Sequence, residues 1–166
     1  MGIKYKTVKN DFPKMKANIK MLRKKSVSVG YLGGGEQAYI ASIHEYGCNI
    51  EITPKMRAWL HANGLHVKDS TTHIKIPERA FLRNGFDENH TKVVDVCEKA
   101  LGKSLAAGDV DPVLESIGML LRDKIRDYAV DLKAPINHPF TIERKGSNNP
   151  LVDSGDMVEA IAYEVV

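Results

Sequence analysis

Before Pro77 the hydrophobic period of this chain switches between 3.6 and 2 at successive Gly or Pro breakers, which leaves room only for short helices and brief strands. From Lys9 to Lys25, Phe12, Met15, Ile19 and Leu22 recur at steps of three and four, one helical stripe with lysines around it and Pro13 in its first turn. Val27, Val29 and Tyr31 then alternate as a half-buried strand until Gly33-Gly34-Gly35 stops it. Glu36 to Tyr46 reads as a helix with Gly47 as its left-handed cap, Asn49 to Ile52 as a strand, and Thr53-Pro54 as the capped start of a helix reaching Asn63-Gly64. In that helix Met56, Trp59 and Leu60 form the side expected in the core. Thr72 to Ile76 alternates again and ends at Pro77.

The second half is different. Val94, Cys97, Leu101 and Leu105 keep helical spacing up to Gly108, and Asp111-Pro112 opens a second helix through Val113, Ile117, Leu121, Ile125, Tyr128 and Leu132. These predict an antiparallel helical pair covering a sheet. Residues 133–150 contain Pro135, Pro139, Pro150 and Gly146-Ser147-Asn148-Asn149, the composition of an exposed loop or arm. Asp153, with Asp156 three positions on, can cap a short helix, and Ile161 to Val166 reads as the last strand. The predicted fold is α+β: a small, mostly antiparallel sheet from strands near Val27, Ile50, Ile74 and Ile161, with helices packed mainly on one face.

A length of 166 residues and a hydrophobic fraction of 43% suit one domain. The expected organisation is a basic N-terminal helix or arm over residues 1–25 and one α+β domain over residues 26–166. Residues 1–25 hold nine Lys or Arg against one Asp, a formal +8, so the total of +3 leaves −5 for the remainder. Lys14, Lys16, Lys20, Arg23, Lys24 and Lys25 are therefore candidates for electrostatic contact with an acidic protein surface or with DNA; the alternative is a solvated helix face. Cys48 and Cys97 lie far apart, no secretory signal precedes them, and no run of apolar residues reaches membrane-spanning length. The expectation is a soluble, untargeted chain in a reducing compartment.

Familiar catalytic patterns are incomplete. The glycine triplet lacks the Gly-Lys-Ser/Thr ending of a phosphate loop. His44-Glu45 lacks the second histidine of a zinc-protease helix, its position being taken by Cys48. His44, Cys48, His61, His66 and His73 match no compact zinc spacing. No Gly-x-Ser-x-Gly elbow is present, and Cys97 falls on an apolar stripe. Asp109 and Asp111 sit where carboxylates complement helix starts. His44 and Glu45 are best read as capping or pairing near a helix end, and neither a metal nor another cofactor is expected.

Four blocks remain: Ile43-His44-Glu45-Tyr46-Gly47, Ile76-Pro77-Glu78-Arg79-Ala80-Phe81-Leu82-Arg83, Glu143-Arg144-Lys145-Gly146, and Pro150-Leu151-Val152-Asp153-Ser154-Gly155. In this order they resemble the neck, tail-completion and minor tail proteins of tailed bacteriophages and prophages, including Mu-like elements, and the resemblance runs from Val27 to the end. It implies a structural virion protein without enzymatic activity that forms a ring at the neck or tail top. The implied partners are copies of itself, neighbouring neck, connector or tail-tube proteins, and DNA in the channel through non-specific contact, with no membrane. The implied location is the virion, reached from the host cytoplasm.

Within the second block, Arg79 and Arg83 stand four residues apart, with Phe81 and Leu82 turned inward. They are candidates for a subunit contact, with Glu143 or Asp153 as partner, or for an intramolecular pair that fixes the loop. Arg144 and Lys145 complete the candidate interface; with Lys133 they flank the proline-rich segment, where they are candidates for contact with DNA in a channel, although no aromatic residues or reading helix accompany them. The alternative function is a nucleic-acid-binding module using the basic N-terminal segment.

Overall fold

Helix α5 (Asp111–Asp131) carries the fold, because its buried residues Val113, Leu114, Gly118, Leu121, Ile125 and Ala129 meet elements on two sides. On one side lies α4 (Phe81–Ala107); on the other is a ribbon of β1 (Val27–Gly30) and β4 (Ala162–Val165). The computed structural model describes residues 12–107 and 109–166, so residues 1–11 of the expected basic arm lie outside the described residues. Among those described, seven helices and four short antiparallel strands form one compact α+β domain.

Two glycines set the packing around α5. At Gly85 an added Cβ would stand 3.3 Å from the Ile125 Cα, so the helices cross there closely. Since Gly85 is near the start of α4 and Ile125 in the second half of α5, the pair is antiparallel. At Gly118 the missing side chain admits the Tyr163 ring of β4, over which the Arg122 guanidinium lies at 5.3 Å. The core is completed by Ala41 of α2 (Glu36–Tyr46), Phe81, Val93, Leu151 and Ile161, with Met157 and Val158 of α7 (Asp156–Glu159). No helix among the described residues is long and apolar enough to cross a membrane.

The four strands pair two by two. Val27 opposes Val165, and Gly30 opposes Ala162, in the first ribbon. The second joins β2 (Cys48–Glu51) to β3 (His73–Ile76), with Cys48 opposite Ile76 and Glu51 opposite His73. Between these strands runs α3 (Pro54–Ala62), capped by Thr53 Oγ1 accepting from the Met56 amide at 3.2 Å. The unit β2–α3–β3 buries its own Ile52 and Leu60 and gives no residue to the main core. Its long loop is held from inside: Arg57 donates to the carbonyls of Val67, Lys68 and Thr71, and the Val67 amide donates to His61 Nε2. It is a side lobe.

Several boundaries differ from the predicted ones. Helix α4 begins at Phe81, well before Val94, and its inward residues are Val93 and Cys97 while Val94 is exposed. Trp59, expected in the core, is 50% exposed; in so small a lobe Leu60 alone takes the buried place, and the indole lies 5.1 Å from the Arg144 guanidinium. In α1 (Phe12–Leu22) the stripe of Phe12, Met15 and Ile19 is exposed, and the buried residue is Asn18, 4% exposed, whose amide donates to the Leu105 carbonyl at 3.0 Å. That carbonyl lies in the last turn of α4, where helix acceptors lack partners. Asp153 does not cap: α7 starts after Gly155, and Ser154 Oγ donates to Asp156 at 2.7 Å.

The segment 133–150 is not a free arm. It contains α6 (Pro139–Lys145), capped by His138 Nδ1 on the Phe140 amide and closed by Gly146 in the left-handed conformation, φ 66°. Both of its ends are pinned. The Asn137 amide donates to the carbonyls of Asn149 and Pro150, and the Asn149 side chain donates to the Val130 carbonyl while accepting from the amides of Leu151 and Val152.

Candidate assembly site at the junction of the four blocks

Glu45, in the last turn of α2, is 2% exposed, and a buried carboxylate must find donors. It finds them at the start of α4. Because Pro77 ends β3 and turns the chain into that helix, the Leu82 and Arg83 amides have no partner within the helix, and they donate to the two Glu45 oxygens at 2.9 and 3.1 Å. Arg83 Nε adds a charged donor at 2.9 Å. The carboxylate thus caps α4 from another element. Arg83 also donates from Nη2 to the Glu45 carbonyl at 2.8 Å and to Glu78 at 2.7 Å, and its guanidinium lies 5.0 Å from the Tyr46 ring.

Arg79 is 3% exposed. Its amide donates to the His44 carbonyl at 2.7 Å. From the guanidinium, Nε donates to the Pro135 carbonyl at 2.8 Å, Nη2 to Asn137 Oδ1 at 2.9 Å and to the Ile136 carbonyl at 3.3 Å, and Nη1 to His44 Nδ1 at 3.1 Å. No carboxylate faces it in this set, and burial pushes its pKa down. One side chain therefore stitches the first block to the second and both to the segment leading into α6. Gly47 lets the backbones meet there: its φ is 72°, and an added Cβ would stand 2.9 Å from the Glu78 nitrogen and 3.0 Å from the Ile76 oxygen.

The third and fourth blocks close on the same place. Lys145 Nζ donates to the Asn149 carbonyl at 2.9 Å, and burial pushes its pKa down although Asp153 opposes this. His44, Asn137, Lys145, Leu151, Asp153 and Ser154 are among the residues lining a cleft of about 390 Å³ that draws on the first, third and fourth blocks. Behind it, the Tyr31 hydroxyl donates to the Met157 carbonyl at 2.8 Å, and burial together with the Glu45 carboxylate raises its pKa well above the ordinary value.

The expected partners of the arginines are corrected by this geometry. Neither Glu143 nor Asp153 meets Arg79 or Arg83 among the interactions described; Arg83 pairs with Glu45 and Glu78 inside the chain, and Arg79 with carbonyls, Asn137 and His44. Arg144 lies between the Trp59 and Phe140 rings, 5.1 and 5.7 Å away, and donates to Asn63 Oδ1 at 2.9 Å, tying α6 to the lobe. Glu143 is exposed. Of the basic residues, Lys16, Lys20 and Arg23 flank Met15 and Ile19 on α1, Lys14 lies on the same helix, Lys24 follows it, and Lys25 pairs with Asp111 at the start of α5. The capping or pairing expected of His44 and Glu45 is present, but the helix end that Glu45 caps is the start of α4 and not the end of its own helix; Asn137 and Asn149 as two-sided clamps went unrecognised in the sequence, although Asn137-His138-Pro139 and Asn149-Pro150 are turn signals that mark them.

These contacts decide what the junction can do. Both Glu45 oxygens and His44 Nδ1 are engaged by protein donors, so they serve as supports. Among the described residues no three of His, Cys, Asp or Glu stand close enough to hold a metal ion. The His44 pKa is lowered to about 4, by burial first and then by Arg79 and Lys145. An unfolded histidine binds its proton near pH 6.5 and this one only near 4, so its contribution to stability is complete above 6.5 and drains away between the two. A loss of about 3 kcal/mol across that window is expected. Melts of the wild type and of His44→Asn, which keeps an acceptor but does not titrate, should diverge below pH 6.5 with the variant flatter; parallel curves would remove His44 as the source.

Comparison with family models, with curated proteins and with solved structures finds no match to this chain.

Proposed function

We propose that this chain is a structural virion protein of a tailed phage or prophage, assembling head to tail into a ring at the neck or the top of the tail. The sequence resemblance suggests the setting, and one physical observation carries the assembly. The chain exposes 11556 Å². A compact monomer of 18.4 kDa exposes about 8,200 Å². Granting residues 1–11 and 108 the full exposure of an unfolded chain, about 1,900 Å², still leaves roughly 1,500 Å² in excess. A ring subunit with a neighbour on each side covers about 800 Å² per contact, so two contacts are of the right size. The exposed apolar side chains Met15, Ile19, Trp59, Phe86, Met119 and Ile136 are the kind that such contacts bury.

An acidic body carrying a basic helix favours a heterologous contact, since the two surfaces complement each other only between different positions on successive copies. Closure of that operation gives a ring. Cryo-electron microscopy of virions or reconstituted necks is expected to show several symmetry-related copies; a lone copy, or none, overturns the reading. The nucleic-acid alternative draws on Lys16, Lys20 and Arg23, but Met15 and Ile19 between them suit a protein surface better than phosphates.

A further inference from the structure

The side lobe, residues 48–76, is tied to the body at two places. One is its neck, where Gly47 leads into β2 and β3 leaves toward Pro77, with Gly47 packed against the Ile76 and Glu78 backbone. The other is Arg144. Among the described residues it is the one side chain that joins the lobe to the body by a hydrogen bond, ion pair or ring contact: it donates to Asn63 Oδ1 and lies on the Trp59 ring. What the lobe needs to keep its shape is inside it. Ile52 and Leu60 are its own buried residues, Arg57 and His61 hold its loop, and the Ile52 amide donates to the Thr72 carbonyl at 2.8 Å, just past the paired strands. Two units of one chain that share neither a core nor a broad apolar contact move relative to each other.

We propose that Arg144 is a latch and that the lobe swings as a rigid unit about its neck, closed while the guanidinium lies on Trp59 and open once it leaves. The catch is preformed on the body. Phe140 and Arg144 stand four residues apart on α6, which sets the guanidinium 5.7 Å from the Phe140 ring, and the segment on either side of α6 is pinned by Asn137 and Asn149. The matching half is on the lobe at the end of α3, where Asn63 Nδ2 donates to the Trp59 carbonyl at 2.7 Å and so leaves its oxygen for Arg144. The fastening is weak: Arg144 is exposed, its acceptor is a neutral amide, and a cation on an exposed ring shifts an equilibrium only a few-fold. The neck supplies the hinge, because the chain enters and leaves at one narrow place and a change in the few torsions around Gly47 and residues 76–78 carries the whole lobe. Opening uncovers Trp59 and the facing side of α6 together and leaves the main core intact. The swing belongs to the single chain and does not depend on the ring reading.

Pulsed electron spin resonance on the full chain tests this, with nitroxide labels on Asp69→Cys in the lobe and Asp127→Cys on α5, in a Cys48→Ser, Cys97→Ala background that removes both native thiols. With the latch intact one label-to-label distance should predominate. Arg144→Ala, made on the body, and Trp59→Ala, made on the lobe, should each raise a second distance by about tenfold in population. Hydrogen exchange at the β2 and β3 amides should stay as slow as before in both, since the lobe moves without opening its own strands. Trp59→Phe, which restores a ring face, should recover part of the closed population. An unchanged distance in either alanine variant overturns the proposal, because the neck alone would then fix the lobe. Faster exchange throughout β2 and β3 overturns it as well, because the lobe would be unfolding instead of swinging. So does a Trp59→Phe chain as open as Trp59→Ala, because the ring contact would then not be the fastening.

Discussion

Arg79→Ala is expected to destabilise the isolated subunit by about 3–5 kcal/mol, enough to unfold much of it at ordinary temperature. The substitution strips donors from the Pro135 and Ile136 carbonyls, from Asn137 Oδ1 and from His44 Nδ1 at once, in a place that is 3% exposed. Unsatisfied buried acceptors cost about 1–3 kcal/mol each, less where water enters, so the sum cannot be as small as the loss of a surface charge. Chemical denaturation of the purified subunit measures it. An Arg79→Ala chain as stable as the wild type but unable to assemble would mean that the guanidinium faces a neighbour. Arg83 offers the contrast: its side chain is 50% exposed, and its replacement by Ala should cost markedly less.

Glu45→Ala should be comparably damaging, by about 3–5 kcal/mol, for a different reason. The carboxylate holds two amides in the first turn of α4 and neutralises Arg83, so its loss leaves the start of the longest helix uncapped against the core. Phe81, fully buried one residue earlier, is positioned by that turn. Glu45→Gln separates the two effects. It keeps one carbonyl acceptor for an amide but presents an NH₂ where the second donor arrives, and should recover only part of the loss. Complete recovery in thermal melts would show that shape, and not the carboxylate, is what α4 needs.

Much of this architecture was legible because local signals and tertiary packing agree. Thr53-Pro54 opens α3, Pro112 opens α5, and the period-two runs at Val27 and Ile74 are strands. Where packing overrode pattern, the sequence misled. Val94 keeps helical spacing with Leu101 and Leu105, but burial follows Val93, one residue away, because α4 begins at a cap supplied by Glu45, 36 residues before Phe81. Nothing local announces a cap from so far along the chain. Trp59 misled in another way: an indole usually belongs to a core, and here it instead receives the Arg144 guanidinium on its face. The blocks identified residues of the junction without identifying their partners. A guanidinium held by carbonyls and an asparagine has no charge pattern to betray it, so the sequence left Arg79 open between a subunit contact and an intramolecular tie that fixes the loop, and its contacts within the chain are those of the tie.

Both strands of the side lobe leave the body at one spot, where Gly47 passes against the Ile76 and Glu78 backbone. An excursion whose entrance and exit coincide is topologically a detachable loop. Its length, loop content and outer surface can diverge between otherwise equivalent subunits while the helices behind it keep their geometry, since none of its side chains enters their core. Trp59 and Asn63, which hold Arg144, are the side chains through which such changes would reach α6.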